Sequence, residues 1–320
     1  MNTSRSFRSP FAPYLDRFVS LKRAVGLQYN SARNMLLAFD RYIDAHAPET
    51  PLRQETLIQY LISLQRLSPR ARDNAVGVVW AALAYAHSHG ALIESLPERP
   101  APSPQFWRQR QPRIVSATEI GDILAATRDL PPKGSLRPAT MATLLGLLYT
   151  TGIRIGEALA LDVGDFDCRD RILTIRHGKF GKSRALVLRE SVADALRCYV
   201  ENPLRRVRKN AATPIFISGG LRRLSYSTVR HAAHAVYVQA GLTEPYPRLH
   251  DYRHTFAVNR VAGWYAEDRD VNALLPALST YLGHISVENT RLYLTANAVL
   301  LEHASVRFSE FTSALDEVLS

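Results

Sequence analysis

Five prolines within twenty residues constrain the fold of this chain more than any other feature. They lie in ESLPERPAPSPQFWRQRQPR, residues 94–113, which also contains four arginines. Proline lacks a backbone N–H and its ring blocks helix continuation, so no helix crosses this stretch. We therefore predict a linker between two folded regions, residues 11–93 and 114–320. The linker arginines fit either a solvated spacer or a segment that follows a phosphate backbone.

Residues 11–93 carry apolar side chains at steps of three and four, the spacing of helices with one buried face. Four such runs occur, and they predict a small all-α domain of four helices. The runs are 11–21, 35–43, 57–64 and 76–85. The preceding residues, 1–10, are rich in Arg, Ser and Pro, which predicts a loose N-terminus.

The second region, residues 114–320, mixes helical and strand patterns. Ser116 and Glu119 have the spacing of a helix-capping box, and helices are expected over about 138–150 and 155–161. The segments 171–177 and 184–188 look like short strands, and the two glycines between them predict a β-hairpin. From Ser191 onward the pattern is mostly helical. The expected fold is mainly α, with a helical N-terminal domain and a mixed α+β second domain that holds a small sheet.

The charge balance favours a polyanionic partner. Lys and Arg number 40 against 29 Asp and Glu, a net charge of +11, so DNA or RNA is the first partner to consider. The two cysteines, Cys168 and Cys198, form neither a disulfide framework nor a zinc-finger spacing. The apolar run 141–149 is too short to span a bilayer, and no signal-peptide core is visible. We expect a soluble protein of the cytoplasm.

Two segments of the second region place basic side chains beside glycines. In TGIRIGEALAL, residues 151–161, Gly152 permits a tight turn, and Arg154 lies three positions before Glu157. Taken alone, this pair is an ordinary salt bridge within a helix. In HGKFGKSR, residues 177–184, Lys179 lies on the hairpin tip, where most lysines are simply solvated. Neither segment identifies a site by itself.

A third segment, RLHDYRHTFAV, residues 248–258, contains His250, Arg253 and His254 on an expected helix. Two histidines four positions apart, with Asp251 nearby, raise the possibility of a zinc site. However, the intervening arginine would repel the cation.

The fourth segment, YLGHISVENTRLYL, residues 281–294, places His284 nine positions before Tyr293. One unbroken helix would put these side chains on opposite faces. Gly283 and Ser286 instead predict a break and a new helix start, which would bring Tyr293 back toward His284. A tyrosine packed in the core is the simpler alternative for this segment alone.

Taken together, the four segments resemble the active site of the tyrosine recombinase (phage integrase) family. The matching stretches are TGIRIGEAL, HGKFGKSR, LHDYRHTFA and LGH followed by a tyrosine. All six family positions are present in the family's order, namely Arg154, Lys179, His250, Arg253, His284 and Tyr293. The resemblance covers about residues 114–305. Residues 11–93 resemble the family's core-binding domain only in size, pattern and placement.

The resemblance implies a DNA breaking-rejoining fold and a site-specific recombinase that acts on double-stranded DNA. Tyr293 would form a 3′-phosphotyrosine, with no metal, ATP or other cofactor. The arginines would bind the phosphate oxygens, helped by His284, and Lys179 would protonate the 5′ leaving oxygen. His250 would take the proton of Tyr293, while Glu157 would orient the site.

The resemblance also implies an assembly. Four protomers would join two DNA sites, with or without companion recombinases. The tail after Tyr293 would dock on a neighbour or on its own domain.

Two departures from the family pattern stand out. Arg253 and His284 are 31 positions apart, more than is usual, which resembles recombinases carried by transposons and plasmids. Tyr252 replaces the usual leucine before Arg253, which we interpret as a change in packing. Three other functions share parts of the pattern: a type IB topoisomerase, a non-catalytic DNA-binding regulator and a metal-dependent nuclease or phosphatase.

Overall fold

The computed structural model describes residues 6–48, 51–104, 111–176, 183–207 and 210–283. The chain divides into two compact units, Met1–Gln111 and Pro112–Ser320, called here the N-terminal and C-terminal units. The division falls at the end of the proline-rich stretch. Each unit has its own buried apolar core.

The N-terminal unit is a bundle of helices. Its helices are α1 Ala12–Ala24, α2 Asn30–His46, α3 Gln54–Ser63 and α4 Pro69–Ser88. Prolines occupy the first turns of α1 and α4, where a missing N–H has no helical partner to lose. The four predicted helical runs correspond to these helices. Their buried faces meet in an aromatic core that includes Phe18, Phe39, Tyr60 and Trp80.

The residues before α1 are held more firmly than their composition predicts. The buried carboxylate of Asp40 accepts hydrogen bonds from the backbone N–H groups of Arg8 and Ser9 and from the Ser9 hydroxyl. Phe7 is buried in the same core. The expected loose terminus is therefore wrong for residues 7–9, because Phe7 is buried and the carboxylate of Asp40 binds the backbone of the next two residues.

The proline-rich stretch also packs against the N-terminal unit over its first half. The indole N–H of Trp80 donates to the carbonyl oxygen of Pro97 at 3.0 Å. Asp73 accepts hydrogen bonds from the backbone N–H and the hydroxyl of Ser103. Trp80 and Asp73 both lie on α4, so this part of the proline-rich stretch packs along the helix and is not a free spacer.

Seven α-helices are described in the C-terminal unit. They are α5 Ala117–Ala126, α6 Arg137–Thr151, α7 Ile155–Ala160, α8 Glu190–Glu201, α9 Tyr226–Gln239, α10 Asp251–Ala266 and α11 Val271–Leu282. The predicted capping box begins α5, where the Ser116 hydroxyl accepts from the Glu119 N–H and the Glu119 carboxylate accepts from the Ser116 N–H. The backbone N–H of Val115 donates to the buried Thr255 hydroxyl, which fixes the start of the unit to α10.

A small antiparallel sheet completes the C-terminal unit, with the strand order β1-β2-β3. The strands are β1 Phe166–Asp167, β2 Ile172–Ile175 and β3 Arg184–Val187. The two predicted strands correspond to β2 and β3, whose last pair is Ile175 opposite Arg184. The two-residue β1 was not predicted. The mainly helical fold class with a small sheet is confirmed.

No helix in the described ranges combines the length and apolar character that crossing a membrane requires.

Candidate active site

Gly152 forms the turn that presents the first arginine. It ends α6 with a φ of +63°, a left-handed conformation that glycine adopts without steric cost. A Cβ atom at this position would lie 2.5 Å from a ring carbon of Phe256 on α10. The predicted turn is therefore present, and it also allows the end of α6 to approach α10 closely.

Arg154 immediately precedes α7 and forms hydrogen bonds with two separate parts of the chain. The Glu157 carboxylate accepts from the backbone N–H of Arg154 at 3.0 Å and from its Nη1 at 2.8 Å. Its Nη2 donates to the carbonyl oxygen of Gly283 at 3.1 Å. The interpretation as an ordinary salt bridge within a helix is incomplete, because the guanidinium also reaches a residue far along the chain.

Arg253, on α10, reaches the same part of the molecule. Its Nη1 donates to the carbonyl oxygen of Gly152 at 3.0 Å, and its Nη2 donates to that of Leu282 at 2.7 Å. The residue is only 1% exposed. Two of the sequence-predicted site residues, Arg154 and Arg253, therefore meet at the turn formed by Leu282 and Gly283.

This turn ends α11. Gly283 has a φ of +67°, so the helix stops here, as the sequence predicted. The last carbonyl groups of a helix lack helical partners and carry partial negative charge, so they attract cations. The next residue along the chain is His284. His284, Tyr293 and Lys179 lie outside the described residues.

Arg184 is a third arginine at this turn, and sequence reasoning missed it. Its Nη1 and Nη2 donate to the two carboxylate oxygens of Glu157 at 3.1 and 2.8 Å. Its Nε donates to the carbonyl oxygen of Tyr281 at 2.8 Å. The residue stands at the end of the quoted segment HGKFGKSR, but nothing in that segment indicates its partners.

Glu157 is the acid that these cations share. Burial alone would raise the pKa of its carboxyl group, but the hydrogen bonds and charges of Arg184 and Arg154 outweigh burial and hold the pKa at about 2. The carboxylate is therefore ionised throughout the physiological range. It is paired with both Arg154 and Arg184, which favour its charged form.

His250 precedes α10, and its ring meets that of His254 edge to face, with the ring centroids 5.1 Å apart. Although His250 is solvent-exposed, partial desolvation by its neighbours, followed by the positive charge of Arg253, lowers the pKa of its imidazole. Burial and the neighbouring His250 lower the pKa of His254 to about 4. Both imidazoles are therefore neutral near pH 7, the form that accepts a proton.

Asp251 anchors the start of α10. Its fully buried carboxylate accepts from the backbone N–H of Arg248 at 2.9 Å and from that residue's Nη2 at 2.8 Å. Within the ranges described, no three His, Cys, Asp or Glu side chains are placed to hold a metal ion. Tyr252 is fully buried, which agrees with its interpretation as a packing residue.

Comparison with known proteins defines the class. Residues 113–299 match the phage integrase family. The chain therefore belongs to the phage integrase family. It is 31% identical to y4rB of Sinorhizobium fredii, named as an integrase/recombinase, over 93% of this chain and 97% of that protein. It is 29% identical to the tyrosine recombinase XerD of Mycobacterium tuberculosis, over 88% of this chain and 90% of that protein.

Among solved structures, the fold is similar to that of the Tn1549 transposon integrase in complex with a circular intermediate DNA. The TM-score is 0.64 at 15% identity, covering 93% of this chain and 99% of that one. This likeness supports the fold.

Proposed function

We propose that this chain is a tyrosine site-specific recombinase that cleaves and rejoins double-stranded DNA through a 3′-phosphotyrosine at Tyr293. The observation that carries the proposal is the meeting of Arg154 and Arg253 at Leu282 and Gly283, directly before His284. Arg154 and Arg253, which lie 129 and 29 positions from their partners along the chain, thus converge on the two residues that directly precede the segment with the predicted nucleophile in the sequence.

The related proteins support this function. Two curated relatives are named as an integrase/recombinase and a tyrosine recombinase, and the transposon integrase was solved with DNA. The net charge of +11 suits a phosphate backbone. The transposon integrase, together with the long interval from Arg253 to His284, favours a recombinase of a mobile element.

The arginines supply the main electrostatic catalysis in this proposal. When a nucleophile attacks the phosphodiester, negative charge grows on the non-bridging oxygens. Arg154 and Arg253 would bind those oxygens with planar, fork-shaped donors, and His284 would add another hydrogen bond.

Proton transfers complete the proposed reaction. His250, neutral near pH 7, would accept the proton of Tyr293 as its oxygen attacks phosphorus. Lys179 would donate a proton to the departing 5′ oxygen. One phosphodiester bond is exchanged for another, so rejoining needs no ATP, and the arginine charge makes a metal ion unnecessary.

The reaction requires two DNA sites. We propose that four protomers pair two sites, with or without companion recombinases. The tail after Tyr293 would dock on a neighbouring protomer or on its own domain. A type IB topoisomerase and a non-catalytic regulator are the competing functions that an experiment must separate.

The test is the recovery of covalent protein–DNA adducts from cells that express wild type, Tyr293→Phe or the control Tyr226→Phe. The adducts are recovered in the presence of a chelator. Tyr226 is an exposed tyrosine of the same unit. We expect adducts at one sequence from wild type and the control, and none from Tyr293→Phe. Adducts scattered over many sequences would indicate a topoisomerase. The absence of adducts from wild type, with DNA binding intact, would favour the regulator.

A further inference from the structure

Arg184 is the first residue of β3, an edge strand of the described sheet, and it follows the segment that contains Lys179 in the sequence. Its side chain is 13% exposed and that of Glu157 is 7% exposed. Its guanidinium donates two hydrogen bonds to the Glu157 carboxylate and one to the carbonyl oxygen of Tyr281, all in the region around Arg154. The side chain therefore joins the hairpin to both α7 and the end of α11.

Two arginines share both the Glu157 carboxylate and the end of α11. Arg154 and Arg184 bind the same carboxylate, and both also bind the turn at the end of α11, at Gly283 and Tyr281 respectively. With Arg253 bound to Leu282, three successive carbonyl oxygens each accept from a different arginine. A bidentate guanidinium–carboxylate pair fixes direction as well as distance. The orientation of Arg154 therefore depends on where Arg184 holds Glu157.

An ordinary structural ion pair would not have these properties. Arg223 of the same unit provides the comparison, since it pairs with Asp162 and donates to the carbonyl oxygens of Leu159 and Leu161. Arg223 contributes the same kinds of bond but none to Arg154, Glu157 or the turn at 281–283. Comparing variants of Arg184 and Arg223 therefore distinguishes a loss of local stability from an effect on the proposed active site.

We propose that Arg184 is a positioning residue for DNA cleavage, which acts through Glu157 to hold Arg154 in the orientation that binds the scissile phosphate. This inference rests on the proposed function. Arg184 does not touch the reacting atoms. Lysine at this position would keep the charge but lose the fork that contacts both oxygens of Glu157 and the Tyr281 carbonyl.

The experiment measures single-turnover formation of the covalent adduct on a DNA duplex carrying the recombination site, in a double-mutant cycle. The variants are Arg184→Lys, Arg154→Lys, the double variant and the control Arg223→Lys. DNA affinity and the urea midpoint are measured for each. We expect Arg184→Lys to cleave roughly 10- to 100-fold more slowly with nearly unchanged DNA affinity, because small misplacement of a catalytic group is costly. Arg223→Lys should cleave at the wild-type rate.

The cycle distinguishes positioning from a general loss of structure. If Arg184 acts through Arg154, adding Arg184→Lys to Arg154→Lys should slow cleavage by less than about threefold further. The inference would be overturned if the double variant lost cleavage rate by the product of the two single-variant losses. It would also be overturned if Arg184→Lys alone cleaved at the wild-type rate. If Arg184→Lys does not fold, Glu157→Asp, which shortens the same ion pair from its other side, takes its place in the cycle with the same criteria. Adducts from wild type but not from Tyr293→Phe show separately that the proposed function holds.

Discussion

Arg253 donates a 2.7 Å hydrogen bond to the carbonyl oxygen of Leu282, the last residue of α11. The bond joins a buried arginine to a helix end whose carbonyl has no partner within the helix. It sets the direction of the guanidinium before any substrate is bound. Fixed donors of this kind stabilise developing charge without having to reorganise during the reaction.

Replacement of Arg154 by lysine should remove most of the cleavage activity. Lysine keeps the charge but cannot bind Glu157, Gly283 and a phosphate oxygen with one planar group. We expect adduct formation to slow by roughly 10²- to 10³-fold, the usual cost of losing one charge-stabilising donor. Arg197→Lys, in an exposed ion pair with Asp194, is the matched control and should be active. Full activity of Arg154→Lys would show that the arginine is only structural.

Alanine at position 152 should destabilise the C-terminal unit. The new methyl group would meet the ring of Phe256 at 2.5 Å and would occupy a left-handed backbone conformation. Backbone strain and overpacking together should cost about 2–4 kcal/mol, seen as a lower urea midpoint. The control is Gly121→Ala in α5, where a Cβ meets nothing within 4 Å. It should stabilise the helix by up to about 1 kcal/mol. Equal midpoints for the two variants would contradict the close packing.

Glu157→Gln should lower the free energy of unfolding at neutral pH, and the loss should be smaller at acidic pH. The folded-state pKa of Glu157, about 2, lies below the ordinary value of 4.5, so its ionised form favours the folded state. This contribution, about 3 kcal/mol at most, is complete above pH 4.5 and lost as the pH falls toward 2. Urea unfolding should show a smaller difference in the free energy of unfolding between wild type and Glu157→Gln at pH 3 than at pH 7. Glu190→Gln, at an 80% exposed side chain, should leave the midpoint unchanged at both values.

His254 should titrate far below an ordinary histidine. Burial and the neighbouring His250 lower its pKa from 6.5 to about 4. Because the unfolded state binds the proton more readily, this group reduces stability as the pH falls from 6.5 toward 4. Imidazole proton shifts followed by NMR, with the signal assigned by its loss in His254→Asn, measure the midpoint directly. A midpoint near 6.5 would contradict the desolvation of this half-buried ring.

Much of the fold could be predicted because it depends on local patterns. Apolar spacing identified the four N-terminal helices, and the pair Ser116 and Glu119 located the start of α5. Gly152 and Gly283 identified two helix ends, since each residue adopts a positive φ that other residues avoid. These signals are contained within a few neighbouring residues.

The contacts that assemble the site could not be predicted in the same way. Arg184 finds Glu157 at a separation of 27 residues and Tyr281 at a separation of 97. An arginine's choice among distant partners has no periodicity along the chain. The same applies to Asp40 and Asp73, whose buried carboxylates bind backbone segments expected to be loose or free. The roles of Lys179, His284 and Tyr293 remain predictions from their identities and spacing.

The bond between Arg253 and Leu282 also has a consequence for biosynthesis. A ribosome makes the chain from its N-terminus, so Arg154 and Arg253 emerge before the residues whose carbonyl groups orient them. A nascent chain that has not yet released α11 holds both arginines without the geometry that we propose for cleavage.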